Sequence, residues 1–303
     1  MKKILILGSS GLVGSATKEI FNLQDNFKVL SPLRREVDLF SPLEISKFID
    51  DNEPDWIINC AAKVGGIVAN NTYRTEFLIE NLKINMNILE ACIKRPSINI
   101  VNLGSSCIYP LNAANPITEN SFMNGKLEPT NSPYALAKIT AIELGKEIKY
   151  QYGNKIINLM PTNLYGPRDN FSAQDSHVIP GLIYRMYNNM DNDTFEIWGT
   201  GNPLREFLYV YDLADCIKFI IDSDLNEDLL NIGSGEEISI KNLATLIAEL
   251  LNYKGDLVFN TNMPDGNPRK LLDTTKLNEL GWKNSTNLIT GLEKTIDWFK
   301  LNQ

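Results

Sequence analysis

A tyrosine and a lysine stand four residues apart in the segment Tyr134-Ala135-Leu136-Ala137-Lys138. On a helix, this spacing places both side chains on one face, one turn apart. An unperturbed phenol has a pKa of about 10, and a nearby ammonium stabilises the phenolate and eases proton exchange at neutral pH. The pair could therefore give a proton to a carbonyl oxygen while a hydride arrives at the carbon. The alternative interpretation of the same spacing is an exposed helix face.

Glycines recur at every third position in Gly8-Ser9-Ser10-Gly11-Leu12-Val13-Gly14, directly after the apolar run Ile4–Leu7. Small residues let the backbone turn sharply and approach a pyrophosphate, and the helix that follows offers free N–H groups and the positive end of its dipole. We therefore expect residues 8–14 to bind a dinucleotide cofactor. A plain turn between a strand and a helix is the alternative.

The residues after the second predicted strand bear on which dinucleotide binds. An acid at this place suits the ribose hydroxyls of NAD, whereas arginine suits the 2′-phosphate of NADP. Arg34 and Arg35 stand there, and the planar guanidinium matches a phosphate. The sequence favours NADP, with Arg34 and Asp38 among the cofactor contacts. A solvated charge pair is the alternative, and Glu36 is an acid nearby.

A serine follows the fourth predicted strand in Gly104-Ser105-Ser106-Cys107. In an open α/β sheet, ligands bind outside the carboxyl ends of the strands. The Ser105 hydroxyl could therefore bond a substrate carbonyl beside Tyr134. The alternative is a turn that is merely rich in small residues.

Short apolar runs alternate with longer helical patterns as far as Gly166-Pro167, which indicates βαβ units and a parallel sheet. The runs predict strands at Ile4–Leu7, Phe27–Leu30, Trp56–Cys60, Ile98–Gly104 and Ile156–Met160, and helices at 12–23, 42–51, 75–94 and 134–152. The later chain predicts helices near 178–189, 211–222, 239–251 and 288–301, with strands near 195–198 and 229–232.

These patterns predict an α/β protein with a Rossmann-type, doubly wound parallel sheet and a smaller, mixed α/β C-terminal lobe for the substrate. We assign residues 1–165 to the cofactor domain, completed by about 207–222, and residues 166–206 and 223–303 to the substrate lobe.

The composition excludes several classes of function. The 303 residues include 29 Lys and Arg against 37 Asp and Glu, a net charge of −8, which argues against a general binder of nucleic acid or of anionic membranes. The four cysteines form no C-x-x-C pair, and a single histidine rules out a multi-His metal site. We therefore expect no metal. The apolar start is too short for a signal peptide and no run is long enough to span a membrane, so we expect a cytoplasmic location.

Longer segments carry a resemblance to a known family. With the glycine loop, Ser105, Tyr134 and Lys138, the chain resembles the extended short-chain dehydrogenase/reductase family and, within it, the GDP-L-fucose synthases, over nearly its whole length. The segments that carry the resemblance are AAKVGGI at 61–67, GSSCIYP at 104–110, LEPTN at 127–131, MPTNLYGP at 160–167 and PDGNPRK at 264–270.

The resemblance implies an NADPH-dependent reaction on GDP-4-keto-6-deoxy-mannose, with epimerisation at C3 and C5 and reduction of the ketone at C4. It implies that Cys107 and His177 are the base and the acid of the epimerisation. It also implies cofactor contacts at Pro161, Asn163, Leu164 and His177, and substrate contacts at Arg185, Trp198, Arg205 and Lys270. The loop has Ser9-Ser10 where familiar members carry an arginine aimed at the 2′-phosphate.

Two other functions stay open. None of the motifs indicates a residue that recognises the sugar beyond C5, so the substrate could be another GDP-4-keto-6-deoxy sugar, of the heptose or colitose type. A non-enzymatic NADP-binding regulator is the second alternative, although such proteins usually lose the tyrosine or the lysine. We expect a homodimer, with the helices at 75–94 and 134–152 forming a four-helix interface.

Overall fold

A six-stranded parallel sheet is the centre of the molecule. The computed structural model describes residues 1–172, 176–263 and 265–303. Asp175, just before the segment of His177, and Pro264, which opens the last family-like segment, lie outside the described residues. The strands run in the order β2-β1-β3-β4-β5-β9. Their bounds are Lys2–Leu7 (β1), Phe27–Leu30 (β2), Trp56–Asn59 (β3), Asn99–Leu103 (β4), Ile156–Pro161 (β5) and Leu229–Ile232 (β9).

Helices cover both faces of this sheet. The helices are α1 (Leu12–Asn22), α2 (Pro42–Asn52), α3 (Ile67–Thr72), α4 (Arg74–Cys92), α5 (Ser132–Tyr152), α6 (Val178–Tyr187), α7 (Val210–Asp222), α8 (Ile240–Leu251), α9 (Thr275–Glu279) and α10 (Leu288–Leu301). On one face, α1 and α7 bury apolar side chains against the strands. On the other face, α2, α4 and α5 do so. The doubly wound Rossmann-type fold is confirmed.

Local sequence explains where these helices begin and end. Ser41 accepts a hydrogen bond from the Glu44 N–H at the start of α2, and Pro42 is its first residue, where a missing N–H costs nothing. Gly153 ends α5 in the left-handed region, with φ at 82°, and its N–H bonds the Lys149 carbonyl.

The later chain builds a second core beside the sheet. Its apolar residues come mainly from α6, α8 and α10 and from short strands. The short strands are β6 (Asn163–Tyr165), β7 (Thr194–Trp198), β8 (Leu204–Tyr209), β10 (Glu237–Ser239), β11 (Asp256–Asn260) and β12 (Arg269–Lys270). Strands β6, β10 and β12 each pair with β8, and β7 pairs with β11.

The division into two lobes stays a prediction, and one boundary needs adjustment. Residues 223–303 are assigned to the substrate lobe from the sequence, but Leu229–Ile232 pairs with β5 as the edge strand of the large sheet. The reason is that α7 lies on the large sheet and returns the chain to its edge, so the strand after α7 joins that sheet. Within the described ranges, no helix combines the length and apolar content needed to cross a bilayer.

Candidate active site

The loop between β1 and α1 contains two glycines that leave no room for a side chain. Gly8 has φ of +79°, and a Cβ there would lie 2.7 Å from the Ala61 nitrogen. A Cβ on Gly14 would lie 2.1 Å from the Gly8 carbonyl oxygen. The loop therefore packs tightly against the backbone after β3 and against itself, and this packing requires glycine at both positions. At Gly11, a Cβ would make only an ordinary contact of 3.6 Å.

The N-terminus of α1 is open at this loop. Gly11 caps the helix without a side-chain hydrogen bond, and the first N–H groups of any helix have no carbonyl one turn earlier to bond. Those groups belong here to Leu12, Val13 and Gly14. Ser9 is buried, and its hydroxyl lies 3.4 Å from the Ser31 carbonyl oxygen. This arrangement suits a phosphate group, which would take the N–H groups and the positive end of the helix dipole.

Arg34 and Asp38 lie on the turn that follows β2. Arg34 is exposed, and its guanidinium carbon is 5.5 Å from the centre of the Phe40 ring. The Asp38 carboxylate accepts the Phe40 N–H at 3.0 Å, so it shapes the turn itself. Arg35 is exposed as well. Arg34 therefore has an exposed guanidinium after β2, while Asp38 has a structural contact within the turn.

Three polar side chains contact Cys107, just after β4. The Ser105 hydroxyl accepts the Cys107 N–H at 3.2 Å and so caps the short 3₁₀ turn at Ser106–Ile108. The Asn131 side-chain nitrogen lies 3.4 Å from the Cys107 sulfur. Lys270, which comes from the later chain, has its ammonium nitrogen 3.7 Å from the same sulfur. The thiol thus lies where two parts of the fold meet.

Tyr134 packs beside this thiol in the first turn of α5. It is 9% exposed, its ring meets the Phe77 ring edge-on at 6.4 Å, and Cys107 packs against the same cluster. Burial raises the pKa of the Tyr134 phenol, and negative charge on Cys107 raises it further. A phenol of this kind stays protonated at neutral pH, so it can act as a proton donor.

Lys138 lies one turn further along α5 and is 2% exposed. Its ammonium nitrogen donates to the Leu103 carbonyl oxygen at 2.7 Å and lies 5.8 Å from the centre of the Tyr134 ring. Burial lowers the pKa of Lys138 to about 8, against a smaller raising effect of Cys60. From the sequence we expect this ammonium to favour the phenolate of Tyr134, whereas burial raises the pKa of that phenol.

Three residues that we expect to contact the cofactor lie at the end of β5 and just after it. Pro161 is the buried last residue of β5, and Asn163 and Leu164 open β6. The Asn163 side-chain nitrogen donates to the Glu206 carbonyl oxygen at 2.8 Å, and the Thr162 hydroxyl donates to the same oxygen at 3.2 Å. These bonds fix the crossing from the large sheet to β8.

His177 is the exposed residue that precedes α6, in the later part of the chain. Its charged neighbour is Asp169: burial raises the pKa of that carboxyl group, and charge on His177 lowers it. One Asp169 oxygen, Oδ2, is buried without a hydrogen bond among the described residues. Among the described residues, the hydrogen-bond partners of the Cys107 sulfur are Asn131 and Lys270, and His177 is not one of them.

The residues expected to bind the nucleotide divide into two groups. Arg185 and Arg205 are half-buried, and burial lowers the pKa of both guanidinium groups, with Glu196 and Asp265 opposing that effect. Trp198 ends β7 with 52% of its surface exposed, so its ring is available for stacking. Lys270 differs from these, because its ammonium contacts the thiol.

Sequence reasoning missed Asn131, Asp169 and Glu206 as parts of this region. Asn131 closes one of the family-like segments, which is the only signal that singles it out. Glu206 is a fully buried carboxylate that accepts N–H groups from Gly235 at 2.8 Å and Leu272 at 3.1 Å. Burial raises the pKa of Glu206, and these hydrogen bonds lower it. A lone acid within an apolar strand gives no such hint.

Comparison with known proteins places this geometry in context. The NAD dependent epimerase/dehydratase family matches residues 4–233. The probable GDP-L-fucose synthase 1 of Oryza sativa subsp. japonica is 43% identical over 303 residues, which cover 99% of this chain and 92% of the rice protein. The GDP-L-fucose synthase of Escherichia coli strain K12 is 40% identical and covers 100% of this chain and 98% of its own.

A solved structure agrees with these sequence matches. The GDP-L-fucose synthetase of Naegleria fowleri, solved bound to NADP, superposes with a TM-score of 0.89 at 28% identity. The match covers 99% of this chain and 94% of that one. The chain therefore shares the overall fold of that protein over nearly its whole length.

Proposed function

Because the chain belongs to the NAD dependent epimerase/dehydratase family, we propose that it converts GDP-4-keto-6-deoxy-mannose to GDP-L-fucose, by epimerisation at C3 and C5 and reduction of C4 with NADPH. The observation that carries the proposal is the packing of the Cys107 thiol against Tyr134, beside Ser105. A simple reductase needs the serine and tyrosine alone, whereas a thiol beside them can also move a proton on carbon. Full-length identities of 40–43% to GDP-L-fucose synthases support the same reaction.

NADPH fits the residues at the glycine loop. A Cβ at Gly8 or Gly14 would collide with neighbouring backbone atoms, so both glycines are needed for the tight fold of the loop, and the first N–H groups of α1 suit the pyrophosphate. Arg34 suits a 2′-phosphate. When bound, the cofactor supplies the hydride for the ketone carbon. Asn163 and Leu164 lie at the end of β5, on the side where Rossmann-type sheets bind their cofactor.

The reduction uses Tyr134 as the proton donor. Its raised pKa keeps the phenol protonated, so it can donate to the ketone oxygen as negative charge develops there. The Ser105 hydroxyl donates a second hydrogen bond to that oxygen. Lys138 holds its place through the Leu103 carbonyl and lies within reach of the phenol ring.

The epimerisation uses the acidity of carbons beside a ketone. Cys107 takes a proton from such a carbon, and the resulting enolate is stabilised at its oxygen by Ser105 and Tyr134. His177 returns a proton from the opposite face. Arg185 and Arg205 hold the two phosphates, and Trp198 stacks on the nucleotide or the sugar.

The exposed faces of two helices support the proposed assembly, and the cysteines support the proposed location. Helices α4 and α5 pack against each other and expose Ile79, Met86 and Leu136, so we assign the homodimer interface to this pair of helices. The four cysteines are free thiols in the described chain, which suits the reducing cytoplasm.

A mass-spectrometric assay in heavy water tests the reaction. We expect GDP-4-keto-6-deoxy-mannose to give a reduced product with solvent deuterium at both C3 and C5, and Tyr134→Phe to lose most of the turnover. The panel includes a GDP-heptose analogue and the 3-deoxy analogue that leads to colitose. Turnover of an analogue without turnover of GDP-4-keto-6-deoxy-mannose would contradict the proposal. Unchanged product formation by Tyr134→Phe would favour a role without catalysis at this site.

A further inference from the structure

The Cys107 sulfur receives two hydrogen-bond donors. The amide nitrogen of Asn131 lies 3.4 Å away and the ammonium nitrogen of Lys270 lies 3.7 Å away. Both groups can only donate, since neither nitrogen carries an acceptor lone pair. A sulfur between two such donors acts as the acceptor of both. A thiolate fills that role far better than a thiol, because hydrogen bonds to a charged acceptor are stronger.

The charge of Lys270 is directed at the sulfur. The adjacent Arg269 is neutralised by Glu237, with a nitrogen to oxygen distance of 2.6 Å. No ion pair of the described residues includes Lys270. Lys270 is half-buried, so solvent screens its ammonium less than it would screen that of an exposed lysine. Among the described residues, the group that hydrogen-bonds this ammonium and can carry a counter-charge is Cys107.

Backbone bonds on either side of Lys270 fix its position. Lys270 stands opposite Arg205 in the pairing of β12 with β8. The next N–H, of Leu271, donates to the Asn115 side chain at 2.8 Å, and the one after it, of Leu272, donates to Glu206 at 3.1 Å. The ammonium therefore reaches the thiol from a strand that is hydrogen-bonded on both sides.

Asn131 is fixed by a separate set of contacts. Its backbone N–H donates to the Glu128 carboxylate at 3.0 Å. Its side-chain oxygen is buried and has no hydrogen-bond partner in the described chain. The bond to sulfur is thus the one that orients this amide, and the group presents its nitrogen to Cys107.

We propose that Lys270, assisted by Asn131, is a positioning residue that holds Cys107 as the thiolate base for proton removal, which rests on the function proposed above. In that step the C–H electrons beside the ketone become the enolate double bond, the carbonyl electrons move onto oxygen, and the proton goes to sulfur. The ammonium favours the thiolate, so the neutral thiol afterwards releases this proton to solvent, while the proton that returns to carbon comes from the opposite face. The lysine belongs to the later chain, so the base is complete only when both parts of the fold are in place.

This role differs from the one that the sequence implies for Lys270. A lysine that binds the substrate diphosphate acts on KM, because it binds ground state and transition state alike. A lysine that holds the thiolate acts on the rate of proton removal and on the reactivity of the sulfur. The two roles therefore predict different measurements on one variant.

The first measurement is alkylation of Cys107 by iodoacetamide across pH 6 to 9, followed by peptide mass spectrometry, with and without NADPH. The variants are Lys270→Met, Lys270→Gln and Lys270→Arg, and Arg269→Met is the matched control. Removal of a charge near 4 Å from the sulfur is expected to slow alkylation at pH 7 on the order of tenfold or more. Lys270→Arg and Arg269→Met are expected to stay within about twofold of the unmodified protein.

The second measurement is deuterium incorporation at C3 and C5 under saturating substrate. Lys270→Met is expected to lose a similar factor in exchange with little change in KM. Alkylation that is unchanged at every pH, or unchanged exchange with a raised KM, would overturn the proposal. If the substrate gives no turnover with the unmodified protein, the proposed function fails, and the alkylation series still decides whether Lys270 acts on Cys107.

Discussion

Replacement of Lys138 by methionine is expected to stabilise the folded chain at neutral pH while it removes catalysis. Lys138 is 2% exposed, and its ammonium donates a hydrogen bond to one carbonyl oxygen of the described residues, that of Leu103. Burial lowers the pKa of Lys138 from 10.5 to about 8, so the folded state disfavours the charge that the unfolded chain carries freely. Methionine has a similar length, carries no charge and packs readily.

The magnitude follows from the two pKa values. The pKa of Lys138 falls from 10.5 in the unfolded chain to about 8 in the folded chain, and each pKa unit corresponds to about 1.4 kcal/mol. Below about pH 8 the lysine is protonated in both the folded and the unfolded chain, and its burial then costs roughly 3 kcal/mol of stability. Loss of the bond to the Leu103 carbonyl offsets about 1 kcal/mol. Lys138→Met should therefore raise the free energy of unfolding by about 2 kcal/mol at pH 7.

The stabilisation expected from Lys138→Met decreases as the pH rises. Between about pH 8 and 10.5 the unfolded chain binds the proton that the folded chain has lost, so the stability contributed by Lys138 rises with pH. At pH 9.5 the advantage of Lys138→Met should fall to nearly zero. Urea unfolding at both pH values measures this, in buffer without added nucleotide.

A matched control separates burial from simple loss of charge. Lys47 is exposed in the interior of α2, so Lys47→Met should change stability by no more than about 0.5 kcal/mol at either pH. A Lys138→Met protein that is less stable than the parent at pH 7, or equally shifted at pH 7 and 9.5, would refute the reasoning. It would mean that the ammonium has partners that offset its burial.

Two further substitutions test the cofactor loop. Gly14→Ala places a Cβ 2.1 Å from the Gly8 carbonyl oxygen, so NADPH affinity should fall more than tenfold, whereas Gly11→Ala adds only a contact at 3.6 Å and should keep it. Fluorescence titration measures both, and equal dissociation constants would contradict the steric argument. Arg34→Ala should raise KM for NADPH about tenfold and leave that for NADH unchanged. An equal loss in Arg35→Ala would show that no one arginine reads the 2′-phosphate.

Local patterns in the sequence predict the features that local structure determines. The glycine loop and the spacing of Tyr134 and Lys138 depend on one turn and one helix, so periodicity and residue type suffice to place them. The resemblance to the extended short-chain dehydrogenases is likewise confirmed by the family match over residues 4–233. The parallel sheet follows from alternating strands and helices, and the structure has it.

Contacts between distant residues could not be read in this way. Asn131 and Lys270 are 24 and 163 residues from Cys107 along the chain, yet both reach its sulfur. Strands as short as Arg269–Lys270 leave no periodic pattern. The raised pKa of Tyr134 could likewise not be predicted from the sequence, because the burial of its phenol depends on the packing of Phe77 and other distant groups.

Strand β8 explains how residues from separate segments keep fixed spacings. Asn163 stands opposite Phe207 through β6, and Lys270 stands opposite Arg205 through β12. Two residues along a strand span about 7 Å, and neighbouring strands lie about 5 Å apart. The positions of the Asn163 amide and of the Lys270 ammonium are therefore both determined by the register of their strands with β8. Glu206 lies between these two pairings: its backbone carbonyl accepts from Thr162 and Asn163 and its carboxylate accepts the Leu272 N–H, so one buried residue contacts the segments on both sides of β8.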